Sequence, residues 1–145
     1  FVAIYNTGSP FVSRGDDSGT HVKELQLWKN AGLDPTGQPW YIETGQGQGL
    51  TLQVASEREG YAITDRGTFL AYKPNVNLEI VFEGDPLLLN IYHVLTVNPE
   101  KFPQVNVAGA KAFADFITSP QGQQIIAEFG VEQYGEPLFT PDAGK

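Results

Sequence analysis

Residues 11–25 read FVSRGDDSGTHVKEL, and this stretch decides the fold that the sequence predicts. Residues 11–13 begin with two bulky apolar side chains after a proline, which is typical of a short strand. Apolar residues then recur at every third position from Val22 to Trp28, which predicts an amphipathic helix that ends near Gly32. A polar loop with two glycines joins the strand to the helix. Strand–loop–helix units of this kind build α/β proteins.

The same alternation of strand and helix patterns continues along the chain. Aromatic and β-branched residues predict strands at 40–43, at Tyr61–Thr64 and, most strongly, at Leu78–Phe82 and Ile91–Val97. Further helices are predicted from Leu50 to Gly60, at the end of Thr64–Tyr72, from an Asn106 cap to Ile117, and from Ser119-Pro120 to Gly130. The pattern predicts one α/β lobe over residues 1–145, with a mixed, mostly parallel sheet flanked by helices.

Composition excludes several classes of function. The 145 residues carry 9 basic and 17 acidic side chains, a net charge of −8, which argues against nucleic-acid binding. The chain has no cysteine, so disulfides, thiolate zinc sites and cysteine nucleophiles are excluded. It also has no methionine and begins at Phe1, which predicts a processed protein or an excised piece. No apolar run approaches the roughly 20 residues of a membrane helix.

The loop at residues 14–20 is a candidate anion site. The first backbone N–H groups of a helix have no partner within the helix, and the helix dipole adds partial positive charge there. Gly19 lets a ligand approach the main chain, Ser18 and Thr20 offer hydroxyls, and Arg14 offers a charged fork. The alternative is structural: a polar side chain caps the helix, and Arg14 pairs with Asp16.

Two further strand ends carry polar residues. The glycine-rich turn at residues 45–49 lacks the lysine of a phosphate-binding P-loop and the spacing of a dinucleotide motif. It either presents backbone N–H groups to a ligand or is a flexible connection. Residues 64–68 (TDRGT) follow the next strand and either face the ligand or cap a short helix. If the three strands are neighbours, their ends open on one edge of the sheet, where ligands bind in open α/β folds.

Catalysis is poorly supported. His21 and His93 lie on unrelated elements without the spacing of metal ligands. Ser18 lacks the sequence context of a nucleophilic serine, and the acidic residues near it are expected to be solvated. We therefore predict no catalytic residue, no metal site and no cofactor.

Seven short motifs in the same order resemble the tungstate-binding proteins of bacterial ABC importers, from about residue 10 to residue 142. The motifs are residues 11–21 (FVSRGDDSGTH), 40–47 (WYIETGQG), 64–68 (TDRGT), 83–86 (EGDP), 89–90 (LN), 97–101 (VNPEK) and 118–123 (TSPQGQ). The resemblance implies a type II periplasmic-binding-protein fold, in which two α/β lobes hold an oxyanion in the cleft between them. It further implies that this chain is the second lobe with the C-terminal helices, and that the first lobe is missing upstream.

The resemblance also implies a role for particular residues. Arg14 is the charged donor, and Ser18, Gly19 and Thr20 supply N–H groups and hydroxyls at the helix start. Gly47 and Gln48 add main-chain donors, and Thr64 adds its hydroxyl. The implied ligand is tungstate or molybdate, the implied partner is a membrane permease, and the implied location is periplasmic or extracellular.

Two other interpretations stay open. The first is a binding protein for another tetrahedral oxyanion, such as phosphate or sulfate. Phosphate carries a proton at neutral pH, so a carboxylate in the cleft favours phosphate, whereas carboxylates turned away favour tungstate or molybdate. The second is an enzyme that acts on a phosphorylated substrate with Arg14 and a neighbouring carboxylate.

Overall fold

The computed structural model describes residues 1–144, which form two compact units. The first unit is Phe1–Leu88, and the second starts at Leu89. The first contains α1 (Val2–Thr7), β1 (Phe11–Ser13), α2 (Gly19–Asn30), β2 (Tyr41–Glu43), α3 (Gln48–Glu57), α4 (Arg66–Tyr72) and 3-10 turns at Lys73–Asn75 and Pro86–Leu88. The second contains α5 (Val107–Thr118), α6 (Pro120–Glu128) and α7 (Val131–Tyr134).

A small parallel sheet organises the first unit. Strands β1 and β2 pair in parallel, with Phe11 opposite Tyr41 and Ser13 opposite Glu43. On the other side of β1, Tyr61 makes a single parallel bridge to Phe11, so the strand predicted at Tyr61–Thr64 reduces to one paired residue. The predicted α/β class with a parallel sheet flanked by helices is confirmed, and the carboxyl ends of the strands lie at the same edge.

The core lies in the first unit and is mainly aromatic. The indole of Trp28 packs edge-on against Phe11, with ring centroids 5.2 Å apart, and against Phe1 at 4.4 Å. Helix α1, which sequence patterns did not predict, adds Tyr5 against Trp40 at 5.4 Å. Aromatic pairs in this geometry contribute about 0.5–1.5 kcal/mol each beyond the area that they bury.

The buried face of α2 differs from the predicted one. Val22 and Leu25, which lie on the apolar face that the sequence predicts, are 58% and 43% exposed. The buried residues are instead His21, Glu24 and Trp28, which share a face at helical spacing. Hydrophobicity identified Trp28 but missed the other two members of this face, because both are polar side chains; His21 Nδ1 and the Glu24 carboxylate are held by hydrogen bonds.

The two strongest strand predictions, Leu78–Phe82 and Ile91–Val97, are wrong. Neither segment forms a regular strand in the described chain, and side chains such as Phe82 and Leu95 are exposed. Apolar and β-branched composition favours extended backbone, but a strand also needs a neighbour for its N–H and C=O groups. Neither segment pairs with another part of residues 1–144.

The helix boundaries of the second unit follow the predicted caps. The Asn106 side chain accepts the N–H of Gly109, and the Ser119 hydroxyl accepts the N–H of Gly122. At the α5–α6 corner, Gly122 is essential for the packing because a Cβ there would lie 2.2 Å from the Phe116 carbonyl oxygen. None of the helices described is both long enough and apolar enough to span a bilayer.

Candidate functional site

The ends of β1 and β2 lead directly into the starts of α2 and α3. Thr44 links the loop after β2 to the end of β1, because its backbone N–H donates to the Ser13 carbonyl at 3.0 Å. Its hydroxyl lies 3.0 Å from that of Thr51 on α3. Gly15 packs so closely on β2 that a Cβ would lie 2.9 Å from Glu43 Cβ. The two helix starts are therefore held side by side at the carboxyl edge of the sheet.

The backbone of residues 14–18 is tightly turned. Gly15 and Asp17 both adopt the left-handed region, with φ of 58° and 57°. Glycine does so without strain, whereas Asp17 pays a steric cost. Side chains of the loop hold this shape: Ser13 Oγ accepts the Gly15 N–H at 3.3 Å, and Asp16 Oδ1 accepts the Ser18 N–H at 3.2 Å.

Arg14 pairs with Asp16, as the structural alternative predicted. Its Nε and Nη2 donate to Asp16 Oδ2 at 3.1 and 2.5 Å. Hydrogen bonds from Ser18 and from the Arg14 guanidinium lower the pKa of Asp16. The guanidinium has five N–H donors, and Nη1 meets no acceptor among residues 1–144. The ion pair therefore fixes the Arg14 side chain and leaves its Nη1 available to a ligand.

The start of α2 keeps unpaired donors. Ser18 is the N-cap, and its hydroxyl oxygen accepts the His21 N–H at 3.4 Å. The first hydrogen bond of the helix backbone comes from Val22 to the Ser18 carbonyl. The N–H groups of Gly19 and Thr20 find no acceptor within the described chain. The cap uses only the oxygen of the Ser18 hydroxyl, and the unpaired main-chain donors here are the N–H groups of Gly19 and Thr20.

The start of α3 resembles that of α2. Gly47 is the N-cap and offers no side chain, and the first backbone bond comes from Thr51 to the Gly47 carbonyl. The N–H of Gln48 meets no acceptor in the part of the chain that the structure describes. The buried Gln48 side chain donates from Nε2 to the Ile63 carbonyl at 2.8 Å. That bond ties α3 to the segment that carries Thr64.

Thr64 lies at the third strand end, but its hydroxyl donates to the Asp65 carbonyl at 3.1 Å. Asp65 caps α4 by accepting the N–H and hydroxyl of Thr68 at 2.8 and 2.7 Å. The capping alternative for this segment is therefore what the structure contains. The role of Thr64 as a ligand donor stays a prediction, as do the roles of the other six residues.

Sequence patterns missed a buried carboxyl beneath the loop. Glu24 is 1% exposed, and its Oε2 accepts the Ser13 hydroxyl at 2.7 Å. Its Oε1 accepts the Tyr41 hydroxyl at 2.7 Å and the Trp28 Nε1–H at 3.2 Å. Burial raises the pKa of Glu24 more than these three hydrogen bonds lower it. The four-residue spacing of Glu24 and Trp28 on one helix face was the available signal.

The described residues hold no group of three side chains suited to a metal ion. Two surface hollows lie away from the predicted site. One is lined by residues that include Trp28, Leu33 and Pro35, and the other by residues that include Phe129 and Leu138. Neither hollow is lined by a residue of the 14–20 loop or of the start of α3.

Comparison with known proteins identifies relatives along almost the whole chain. A tungstate-binding protein of Peptoclostridium acidaminophilum is 50% identical over 135 residues, which are 93% of this chain and 47% of the relative. The tungstate-binding protein of Desulfovibrio alaskensis has a solved structure with a TM-score of 0.83 and 43% identity over 97% of this chain and 57% of that one. The tungstate ABC transporter structure from Geobacter sulfurreducens has a TM-score of 0.76 and 47% identity, over 87% of this chain and 53% of that one.

These relatives are named as binding or transport proteins rather than enzymes, in agreement with the sequence prediction. The chain spans about half the length of the curated relatives that it matches. A model of the PBP superfamily domain matches residues 2–121. The chain belongs to the PBP superfamily.

Proposed function

We propose that this chain captures a tetrahedral oxyanion, tungstate or the similar molybdate, for an ABC importer. One observation carries the proposal: two helix starts, each with unpaired N–H groups, lie side by side at the carboxyl edge of a parallel sheet with Arg14 beside them. Helix starts with free N–H groups favour anions. The tungstate-binding relatives support the choice of anion.

The donors suit a small dianion. Desolvating such an ion costs many kcal/mol unless hydrogen-bond donors replace its water. The available donors are the N–H groups of Gly19, Thr20 and Gln48 and the free part of the Arg14 fork. Each charge-assisted hydrogen bond contributes about 1.5–3 kcal/mol. The net charge of −8 opposes approach only weakly, because salt screens charges beyond about 8–10 Å.

The carboxylates near the site favour tungstate over phosphate. Asp16 already accepts hydrogen bonds from Arg14 and Ser18. Asp65 is engaged by Thr68, and the Asp17 side chain is fully exposed. A phosphate that carries a proton needs an acceptor, and none of these three is arranged to receive it. A fully deprotonated oxyanion needs only donors.

The same arrangement gives little support to an enzyme. Hydrolysis of a phosphorylated substrate needs a carboxylate or another base that can reach a reacting atom. Asp16 is the carboxylate beside Arg14, and its lowered pKa makes it a weak base. The proposal therefore assigns binding without catalysis and needs no cofactor.

In the proposed cycle the loaded protein works outside the cytoplasm and delivers its anion to a membrane permease. Binding proteins of this kind act by closing around the ligand. We expect residues 1–145 alone to bind tungstate more weakly than the full-length protein, because closure adds donors. Calorimetric titration of both proteins compares them, and equally tight binding would contradict this expectation.

Calorimetric titration of the full-length protein with sodium tungstate, sulfate and phosphate tests the proposal. Arg14→Ala should weaken tungstate binding by about 10- to 100-fold, as expected for loss of a charge-assisted contact. Arg58→Ala is the matched control, because Arg58 is an exposed arginine at the far end of α3. Unchanged tungstate affinity in Arg14→Ala, or tighter binding of phosphate by the unaltered protein, would refute it.

A further inference from the structure

His21 occupies a buried position in the first turn of α2. Its Nδ1 accepts the backbone N–H of Asp17 at 3.1 Å. The ring is nearly inaccessible, with 8% of the side chain exposed. The exposed Asp17 carboxylate oxygen Oδ1 lies 3.8 Å from Nδ1, beyond hydrogen-bond distance, so the hydrogen bond of this ring is to the Asp17 main chain.

The Asp17 main chain is the part of the loop that needs support. Its φ of 57° is uncommon for a residue with a side chain, and such conformations persist only where surrounding contacts impose them. Asp17 directly precedes the N-cap Ser18 and therefore sets the direction in which α2 begins. A change at this turn would move the Gly19 and Thr20 N–H groups relative to Arg14.

The hydrogen bond also determines the state of the imidazole. A nitrogen that accepts a hydrogen bond carries no proton, so this hydrogen bond assigns the tautomer with its proton on Nε2. Nε2 is buried without a hydrogen-bond partner among the residues described. An apolar side chain would avoid that unpaired donor. What histidine supplies here, and an apolar residue would not, is the acceptor at Nδ1.

We propose that His21 is a positioning residue for oxyanion binding: through Nδ1 it fixes the left-handed turn at Asp17 and thereby aims the donors of the 14–20 loop. The inference rests on the proposed function, because its effect is measured as oxyanion affinity. His21 itself does not touch the ligand. It acts through the Asp17 main chain.

A pair of substitutions separates this role from simple packing. In asparagine, Oδ1 is attached to Cγ just as Nδ1 is in histidine, so His21→Asn keeps an acceptor at that place. His21→Leu has the same branching but no acceptor. His93→Leu is the matched control, because His93 is exposed and lies in the second unit. A packing role would rank leucine above asparagine, since the position is buried.

Sodium tungstate is titrated calorimetrically into the full-length protein and these three variants. His21→Leu should bind about tenfold more weakly, as expected for one lost hydrogen bond, whereas His21→Asn should stay within about threefold of the unaltered protein. His93→Leu should not change affinity. Equal affinity of the leucine and asparagine variants, or weaker binding by asparagine, would overturn the proposal.

A second measurement needs no ligand and separates the inference from the proposed function. Hydrogen exchange at the Asp17 amide should be about tenfold faster in His21→Leu than in the unaltered protein and in His21→Asn. Nitrogen NMR of the unaltered protein should show Nδ1 unprotonated and Nε2 protonated. If tungstate fails to bind but both NMR results hold, the proposed function is wrong and the role of His21 in the loop stands. A protonated Nδ1 in the unaltered protein would overturn the inference, and this measurement remains available if His21→Leu does not fold. Equal exchange at the Asp17 amide in all three proteins would overturn it as well.

Discussion

Replacing the buried carboxyl of Glu24 should destabilise the first unit strongly. Glu24→Leu leaves three donors without their acceptor: the Ser13 hydroxyl, the Trp28 indole N–H and the Tyr41 hydroxyl. Ser13 and Trp28 are almost completely buried, so neither donor can turn to water, whereas Tyr41 is only partly buried and is left out of the sum. A stranded buried donor costs about 1–3 kcal/mol. With two such donors, the free energy of unfolding should fall by about 2–6 kcal/mol.

Urea denaturation followed by tryptophan fluorescence measures this change directly, because Trp28 and Trp40 both lie in the aromatic core of the first unit. Glu24→Gln keeps one acceptor oxygen and should lose only about 1–2 kcal/mol. Glu57→Gln, at an exposed position of α3, is the control and should change the free energy of unfolding by less than about 0.5 kcal/mol. An unfolding free energy for Glu24→Leu within about 0.5 kcal/mol of the unaltered value would refute the network.

Two more predictions concern the same part of the molecule. Gly15→Ala should lower the free energy of unfolding by about 1–3 kcal/mol, because a Cβ at φ 58° would lie 2.9 Å from Glu43 Cβ. Gly37→Ala is the control, since Gly37 is also at positive φ but has open space around it, and it should cost about 1 kcal/mol in the same urea assay. An equal loss of stability in both variants would contradict the close contact. Burial raises the pKa of Glu24 above its usual 4.5, so the folded protein keeps the carboxyl proton to higher pH than the unfolded chain does. The free energy of unfolding should therefore fall as the pH rises from about 4.5 through the raised pKa. Glu24→Gln should remove that slope, and a slope that persists in this variant would show that another group is responsible.

Local signals in the sequence predicted the elements that depend only on neighbouring residues. The helix starts at Asn106 and Ser119 were correct because each cap is made within three or four residues. The parallel order of β1 and β2 followed from the strand–loop–helix rhythm. The strands predicted at Leu78–Phe82 and Ile91–Val97 were wrong because pairing depends on a distant neighbour, which composition does not reveal.

The candidate site likewise combines features that neighbouring residues determine with features that depend on partners the sequence does not reveal. Glycines, hydroxyls and an arginine before a helix pointed to the 14–20 loop, and its free N–H groups follow from the geometry of any helix start. The choice of partner for Arg14 was open in the sequence, and the structure pairs it with Asp16. Glu24 and His21 were missed because the helical pattern identifies apolar faces, whereas these polar residues are buried through hydrogen bonds to Ser13 and Asp17.

The account depends on the main-chain donors at the starts of α2 and α3. Amide NMR spectra of the full-length protein, recorded as sodium tungstate is added, observe those donors individually. The account predicts saturable shifts at the N–H groups of Gly19, Thr20 and Gln48, with no shift at Gly109 on α5. Tungstate binding that leaves Gly19, Thr20 and Gln48 unmoved would contradict it.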